Sequence, residues 1–342
     1  MNSEIEIHTQ LQEYIYAIAW SDDNTKIAVA LSSGEIAVIS IDSRELVRFQ
    51  AHDECCTSVC WINESQSLAS AGQDGMLRIW SAQNLLLQRE IIGDGKSGFT
   101  WIDKLVHSSV SKRLAAIVGK QVLVWNTLNL ENILNYTLPK SAFDIAFSND
   151  GNTVVAVYYG GALLAQLAPA FQIQTLPYPA SFISCALSPN QKYLAAGTGD
   201  NKIHFWLLPY VPEQDLEMSG YYAKVRSLSW SANSKYLATP SYDSLIIWDV
   251  YTTGTPQNTR PTILQEHYGK ITQVAFHPNG NYLASADEAG YVIIWNFPLS
   301  KKVIKSFQLP KGEITALQWA NRINKLSVGN EKGNLIVWNI DN

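Results

Sequence analysis

His52, Asp53, Glu54, Cys55 and Cys56 stand in a row, with Cys60 four residues on. Imidazole, carboxylate and thiolate are the groups that hold zinc. His52, Asp53, Glu54 and Cys55 are therefore the candidate metal ligands. The spacing argues against them, because adjacent cysteines do not match the C-x₂₋₄-C pattern of zinc sites. Carboxylate pairs with the composition for acid–base work occur at Asp22-Asp23 and Asp287-Glu288, but both fall in turn-like sequence and read as solvated. The chain contains no glycine-rich phosphate loop, no GxSxG elbow and no HExxH. His107 and His204 fall in apolar alternating runs and read as packed, whereas His277 falls in a turn and reads as solvated. The expectation is no catalytic residue and no cofactor.

The elements that carry these residues repeat. The stretch His267–Trp295 holds two alternating apolar runs, a Pro-Asn-Gly turn between them, and a third run ending in Trp. Aligning the end of that third run gives Ile39, Trp80, Trp125, Gln166, Trp206, Trp248, Trp295 and Trp338, at spacings of 41, 45, 41, 40, 42, 47 and 43. Each unit has a strand a such as Thr272–Phe276, a polar turn, a strand b rich in small residues such as Leu283–Ala286, a second turn and a strand c. A more variable strand d follows. Period-2 alternation predicts strands throughout. A four-stranded sheet buries its two faces only by stacking radially against its neighbours. The last unit stops at strand c, and residues 4–10 alternate without a unit of their own. They are expected to supply strand d of the last unit and close the ring. The expected fold is all-β, a single eight-bladed β-propeller of four-stranded antiparallel blades spanning 1–342. The alternative is a seven-bladed ring with a degenerate extra unit. The fourth unit is the poorest, with Gln166 where the others end in an aromatic or β-branched residue.

The pattern assigns structural positions to His52, Cys56 and Cys60, which leaves little of the metal candidate. The chain resembles the WD-repeat β-propeller family along essentially its whole length, most strongly in Leu68–Trp80 and Ser241–Asp249. The one literal Trp-Asp pair is Trp248-Asp249. The resemblance implies a buried tetrad in each blade, running from a His before strand a through a Ser or Thr and an Asp to the strand-c Trp. Only the second unit fits at all four places, with His52, Ser70, Asp74 and Trp80. The seventh has His267, Ser285 and Trp295 but Ala289 at the expected Asp place. The sixth puts Tyr221 at the His place, with Thr239, Asp243 and Trp248, and the fifth keeps Asp200 and Trp206.

The resemblance also implies that partners dock on the face carrying the d–a and b–c loops. The positions on that face are Tyr14, Phe99, Trp101, Tyr159, Tyr222, Lys224, Tyr242, Tyr268, Lys270 and Glu288. Of 11 Trp, six end strand c and four end strand a; Trp101 alone has no place in the repeat. Aromatic and basic side chains dominate binding energy at interfaces. The net charge of −5 and pI near 5.7 give no basic footprint for nucleic acid. No apolar run reaches the length of a membrane helix, so direct membrane insertion is not expected. The N-terminus carries no signal-peptide pattern. Four cysteines without framework spacing fit a reducing, cytoplasmic setting. The expected function is a non-catalytic scaffold or adaptor that binds a protein or peptide. The alternative is a propeller that binds a small ligand or metal, with or without catalysis.

Overall fold

The structure is a computed structural model that describes residues 5–92, 101–212, 214–250, 259–280 and 282–340. Phe99 lies outside the described residues, as do residues 251–258 of the connection between the sixth and seventh units. Every element among the described residues is a strand paired antiparallel with its neighbours. None of the described residues forms a helix long and apolar enough to cross a membrane.

In every sheet but the last the strands follow chain order from the channel outwards. The first sheet is Ile15–Trp20, Lys26–Leu31, Glu35–Ser40 and Leu46–Gln50. Its second strand is buried at every residue after Lys26, because a neighbouring sheet covers each face. Ala28 and Ala30 there let the next sheet approach closely. The core therefore lies between sheets rather than inside them. Ile18, Val29 and Ala37 of the first sheet pack with Ala316, Leu335 and Val337 of the last.

The described residues form seven sheets, six of four strands and one of six. This corrects the eight-bladed expectation to seven blades. The fourth and fifth units share the six-stranded sheet through two long strands, Thr153–Gln166 and Gln172–Leu187. The cause is local. Gly160 and Gly161 have φ of +106° and +152°, and Gly161 lies so close to the Leu176 carbonyl that a Cβ would sit 2.3 Å from it. Glycines permit this backbone, and the strand runs through the place where other units make a loop. Gln172–Leu187 likewise passes unbroken from one unit into the next.

The ends of the chain meet in one sheet. Ile5–Gln10 pairs with Asn334–Asn339, from Ile5 opposite Trp338 to Gln10 opposite Asn334. Leu11 N–H donates to the Gly333 carbonyl at 2.7 Å, and Lys325 pairs with Glu6 at 2.6 Å.

Side chains stitch neighbouring units at the channel. The indole N–H of each Trp that ends strand a reaches back to strand a of the preceding unit. Trp61 donates to Ala19 O at 3.0 Å, Trp230 to Ala186 O at 3.1 Å and Trp319 to Ala275 O at 3.0 Å. Trp20 closes the series across the chain ends, onto Gln318 O and Ser327 Oγ. Asp144 ties three units, by pairing with Lys104 and by accepting from Cys185 N at 2.8 Å.

Candidate partner-binding face

The loops of the face are held from below by buried polar chains. In the second unit Trp80 Nε1–H donates to Ser70 Oγ at 2.8 Å, and Ser70 lies 2.8 Å from His52 Nε2. His52 Nδ1 meets Asp74 at 2.9 Å. The network sets the tautomer: Ser70 donates to Nε2 and Nδ1–H donates to the carboxylate. Partial burial works against ionisation of Asp74, but hydrogen bonds from His52 and Arg78 outweigh it and hold the carboxyl well below its usual range.

The seventh unit builds the same chain, which corrects the expectation that it lacks an acid. Trp295 donates to Ser285 at 2.9 Å, Ser285 to His267 Nε2 at 2.7 Å, and His267 Nδ1 to Asp287 at 2.8 Å. Asp287 lies opposite Ile271, where the second unit has Gly72 opposite Cys56. The acid thus reaches its histidine from the end of strand b instead of from the turn, and Ala289 plays no part. Asp287 is fully buried, so its reading as a solvated turn residue is corrected as well. Its other oxygen accepts from Ala289 N and Tyr291 N, both at 2.9 Å, and caps the turn.

The sixth unit uses a phenol. Trp248 donates to Tyr221 Oη at 2.6 Å, Tyr221 to Thr239 Oγ1 at 2.8 Å, and Thr239 to Ile246 O at 3.1 Å. Asp243 stays outside this chain and accepts from Ser244. In the fifth unit Ala196 takes the place of Ser70, opposite His204 as Ser70 is opposite Arg78. Trp206 Nε1 is left buried without a partner, so Asp200 and Trp206 do not join.

The metal candidates do not converge. Both ring nitrogens of His52 are spent in its tetrad. Cys56 is in the core, and burial pushes its thiol and that of Cys60 up. Asp53 and Glu54 are exposed. Among the described residues no group of three or more His, Cys, Asp or Glu is placed to hold a metal ion. A cleft of about 400 Å³ opens beside the six-stranded sheet. Glutamines 166, 172, 174 and 191, with Tyr210 and apolar side chains, line it and present no acid–base pair. His204 is buried against Tyr178 and Trp206, and His107 is half-buried. His277 is fully buried with its ring edge-on to Trp319, which corrects its reading as solvated.

The face residues lie at the surface. Tyr222 is 85% exposed, Tyr268 87%, Tyr159 57% and Trp101 47%. Tyr14 and Tyr16 hold their rings 4.7 Å apart. Partial burial raises the Tyr14 phenol pKa, helped by Glu313 and Glu331 close by. Within the sixth unit Tyr222 N–H donates to the Ser241 hydroxyl at 3.1 Å, and a backbone bond from Ile271 N–H to Tyr242 O at 2.7 Å links the sixth unit to the seventh. Glu288 N–H donates to Lys270 O at 2.9 Å, and Lys270 N–H to Glu288 Oε1 at 3.2 Å.

Three exposed residues of this face were missed by the loop-based reading: Tyr16, Phe143 and Arg226. In seven units the a–b pairing slips one residue after the start of strand a, as between Ile15 and Ala17 or between Ala142 and Asp144. A bulge of this kind re-aims the skipped side chain. The skipped residues include Tyr16 and Phe143, and Arg226 holds the equivalent place in the sixth unit. At the same place Thr57, Thr272 and Thr315 each donate at 2.6 Å to the next strand a, at Ile102 O, Ile314 O and Ile15 O. The repeat alignment contains this column, and its alternation of threonines with large exposed residues was the available signal.

A family model described as "WD domain, G-beta repeat" matches residues 43–81, 171–206, 213–249 and 258–296. The chain is 24% identical over 237 residues to the serine-threonine kinase receptor-associated protein of Gallus gallus, a match covering 68% of this chain and 66% of that protein. It is 26% identical over 161 residues to the target of rapamycin complex subunit wat1 of Schizosaccharomyces pombe, covering 46% of this chain and 48% of that one. The crystal structure of Sqt1 from Chaetomium thermophilum superimposes with a TM-score of 0.82 at 15% identity, over 99% of this chain and 98% of that chain. The chain resembles the WD-repeat β-propeller family in sequence and in fold.

Proposed function

We propose that this protein is a non-catalytic interaction scaffold of the cytoplasm that binds a protein or peptide on the face around Tyr14, Trp101, Tyr222, Lys224, Tyr242, Tyr268 and Lys270. The observation that carries the reading is the exposure of Tyr222 and Tyr268 on loops pinned by backbone bonds and by the buried chains of Tyr221 and His267. Tyrosine side chains have only two torsions to fix, so on a pinned backbone they lose little freedom when a partner covers them. The printed names of the relatives, receptor-associated protein and complex subunit, agree with a binding role. The four cysteines are free, as a reducing compartment would keep them. Affinity capture from native lysate, comparing the parent with Trp101→Ala/Tyr222→Ala, tests the reading. Loss of specific partners in the variant is expected; equal capture by both rules the face out.

A further inference from the structure

We infer that the arc of this face formed by the sixth and seventh units docks an extended acidic peptide segment of a protein partner. The inference rests on the interaction-face reading and narrows it to one arc and one chemistry. Lys224 and Arg226 are exposed on either side of buried Val225, and Lys270 is half-buried on the adjoining loop. Among the described residues none of the three forms an ion pair, whereas Arg48, Arg78, Lys104, Lys112, Lys202 and Lys325 all do. In a chain of net charge −5, three cations without an ion-pair partner on adjoining loops attract carboxylates and repel other cations.

The backbone supports the same arc. Tyr222 is bonded to Ser241, Tyr242 to Ile271, and Lys270 to Glu288, so three tyrosines and the cations keep a fixed order. Tyr242 sits at the tip of a two-residue hairpin, with Ser241 opposite Ser244, at φ +57°. Glycine or asparagine suits that conformation better than a bulky residue. A phenol held there at a conformational cost fits a contact residue. Phosphate recognition needs donors converging on one point. Here the cations are divided between two loops and alternate with phenols, which suits an extended chain with spaced carboxylates and apolar or aromatic side chains between them. Glu288 and Asp243 also lie on the arc and keep their charge; the Lys270 N–H and the Ser244 hydroxyl orient them, so a partner's carboxylates are placed chiefly by Lys224 and Arg226 on the sixth unit's loop.

The test is fluorescence anisotropy with a fluorescein-labelled random Glu/Tyr copolymer, read at about 50 and about 300 mM NaCl to expose screening. Heparin and polylysine serve as comparison probes. The expected result is copolymer binding that weakens with salt and falls by about tenfold or more in Lys224→Glu/Lys270→Glu, a change of about 1.4 kcal/mol. Tyr222→Ala/Tyr268→Ala weakens binding too, and Asp53→Ala/Glu54→Ala leaves it unchanged. Absent copolymer binding, equal binding by the charge-reversed variant, or heparin binding as tight as the copolymer each overturns the inference. Lysate capture separates the two claims. If Trp101→Ala/Tyr222→Ala abolishes capture while Lys224→Glu/Lys270→Glu leaves it intact, the scaffold reading stands and this inference falls. Thermal melts of the variants, whose changes are all at exposed or half-buried positions, check folding.

Discussion

The carboxylate of Asp287 lies 2.8 Å from His267 Nδ1, with both side chains closed off from water. Through His267 and Ser285 it is joined to the Trp295 indole, and through its second oxygen it caps the turn that carries Glu288. Asp287→Ala leaves a buried imidazole donor and two backbone donors unpaired. The expected loss is about 2–3 kcal/mol of unfolding free energy in urea. Asp287→Asn keeps an acceptor for the turn and is expected to lose less. A loss for Asp287→Ala below about 0.5 kcal/mol, the scale of ordinary surface changes, would show that the chain contributes little.

Much of this architecture is legible in the amino-acid sequence, because strand alternation and turn chemistry are local. The strand-c Trp spacing locates the units, and Tyr221 reveals itself as a histidine replacement by its place before strand a. What escapes is set by partners distant in sequence. Asp287 was passed over because alignment to Asp74 pointed to Ala289, yet a carboxylate two residues earlier reaches the same ring. The blade count failed at Gly160-Gly161, where glycine backbone freedom replaces a loop with continuous strand. Tyr16 and Phe143 escape a reading by alternation because a bulge, which alternation does not encode, turns them outward, and Arg226 shares their column in the alignment. The buried place of His277 depends on Trp319, 42 residues away.

The strand-a tryptophans act between units, so their loss should be felt between units. Trp61→Phe removes the donor to Ala19 O in a site where Trp61 is buried. The expected cost is about 1–2 kcal/mol. Trp101→Phe, at an exposed position, is expected to stay within about 0.5 kcal/mol of the parent. Chemical denaturation of the two variants side by side checks this. Equal stabilities would show that the indole bonds do not hold the ring.

Closure depends on a strand from the opposite end of the chain. Deleting residues 1–10 removes the partner of Asn334–Asn339, the buried contact of Ile7 and the Glu6–Lys325 pair. An uncovered strand edge is a template for association. The truncated chain is expected to melt at least about 5 °C lower, equivalent to roughly 2 kcal/mol or more for a domain of this size, and to elute as larger species. An unchanged melting temperature with a monomeric profile would refute closure as a stabilising device.

Acid should weaken the fold through its buried histidines before it affects the tetrad carboxylate. Burial pulls the pKa of His204 from 6.5 to about 4; its Nε2 lies 3.7 Å from Asp215, and among the described residues neither ring nitrogen has a hydrogen-bond partner. Burial likewise pulls His107 to about 4, with Lys112 adding to the effect. Between 6.5 and 4 the unfolded chain takes up protons that the folded chain refuses. Stability is therefore greatest above 6.5 and falls as pH drops, by up to roughly 1.4 kcal/mol per unit for each such group. Asp74 behaves differently: its pKa is lowered by folding, so its contribution persists until pH falls below the ordinary aspartate value of 3.8. His204→Phe places an apolar ring among Tyr178, Phe182 and Trp206 and should remove about half of the decline between pH 7 and 5. Urea unfolding at the two pH values measures it. A parent equally stable at both, or a variant that keeps the full decline, would show that His204 is not the group that titrates.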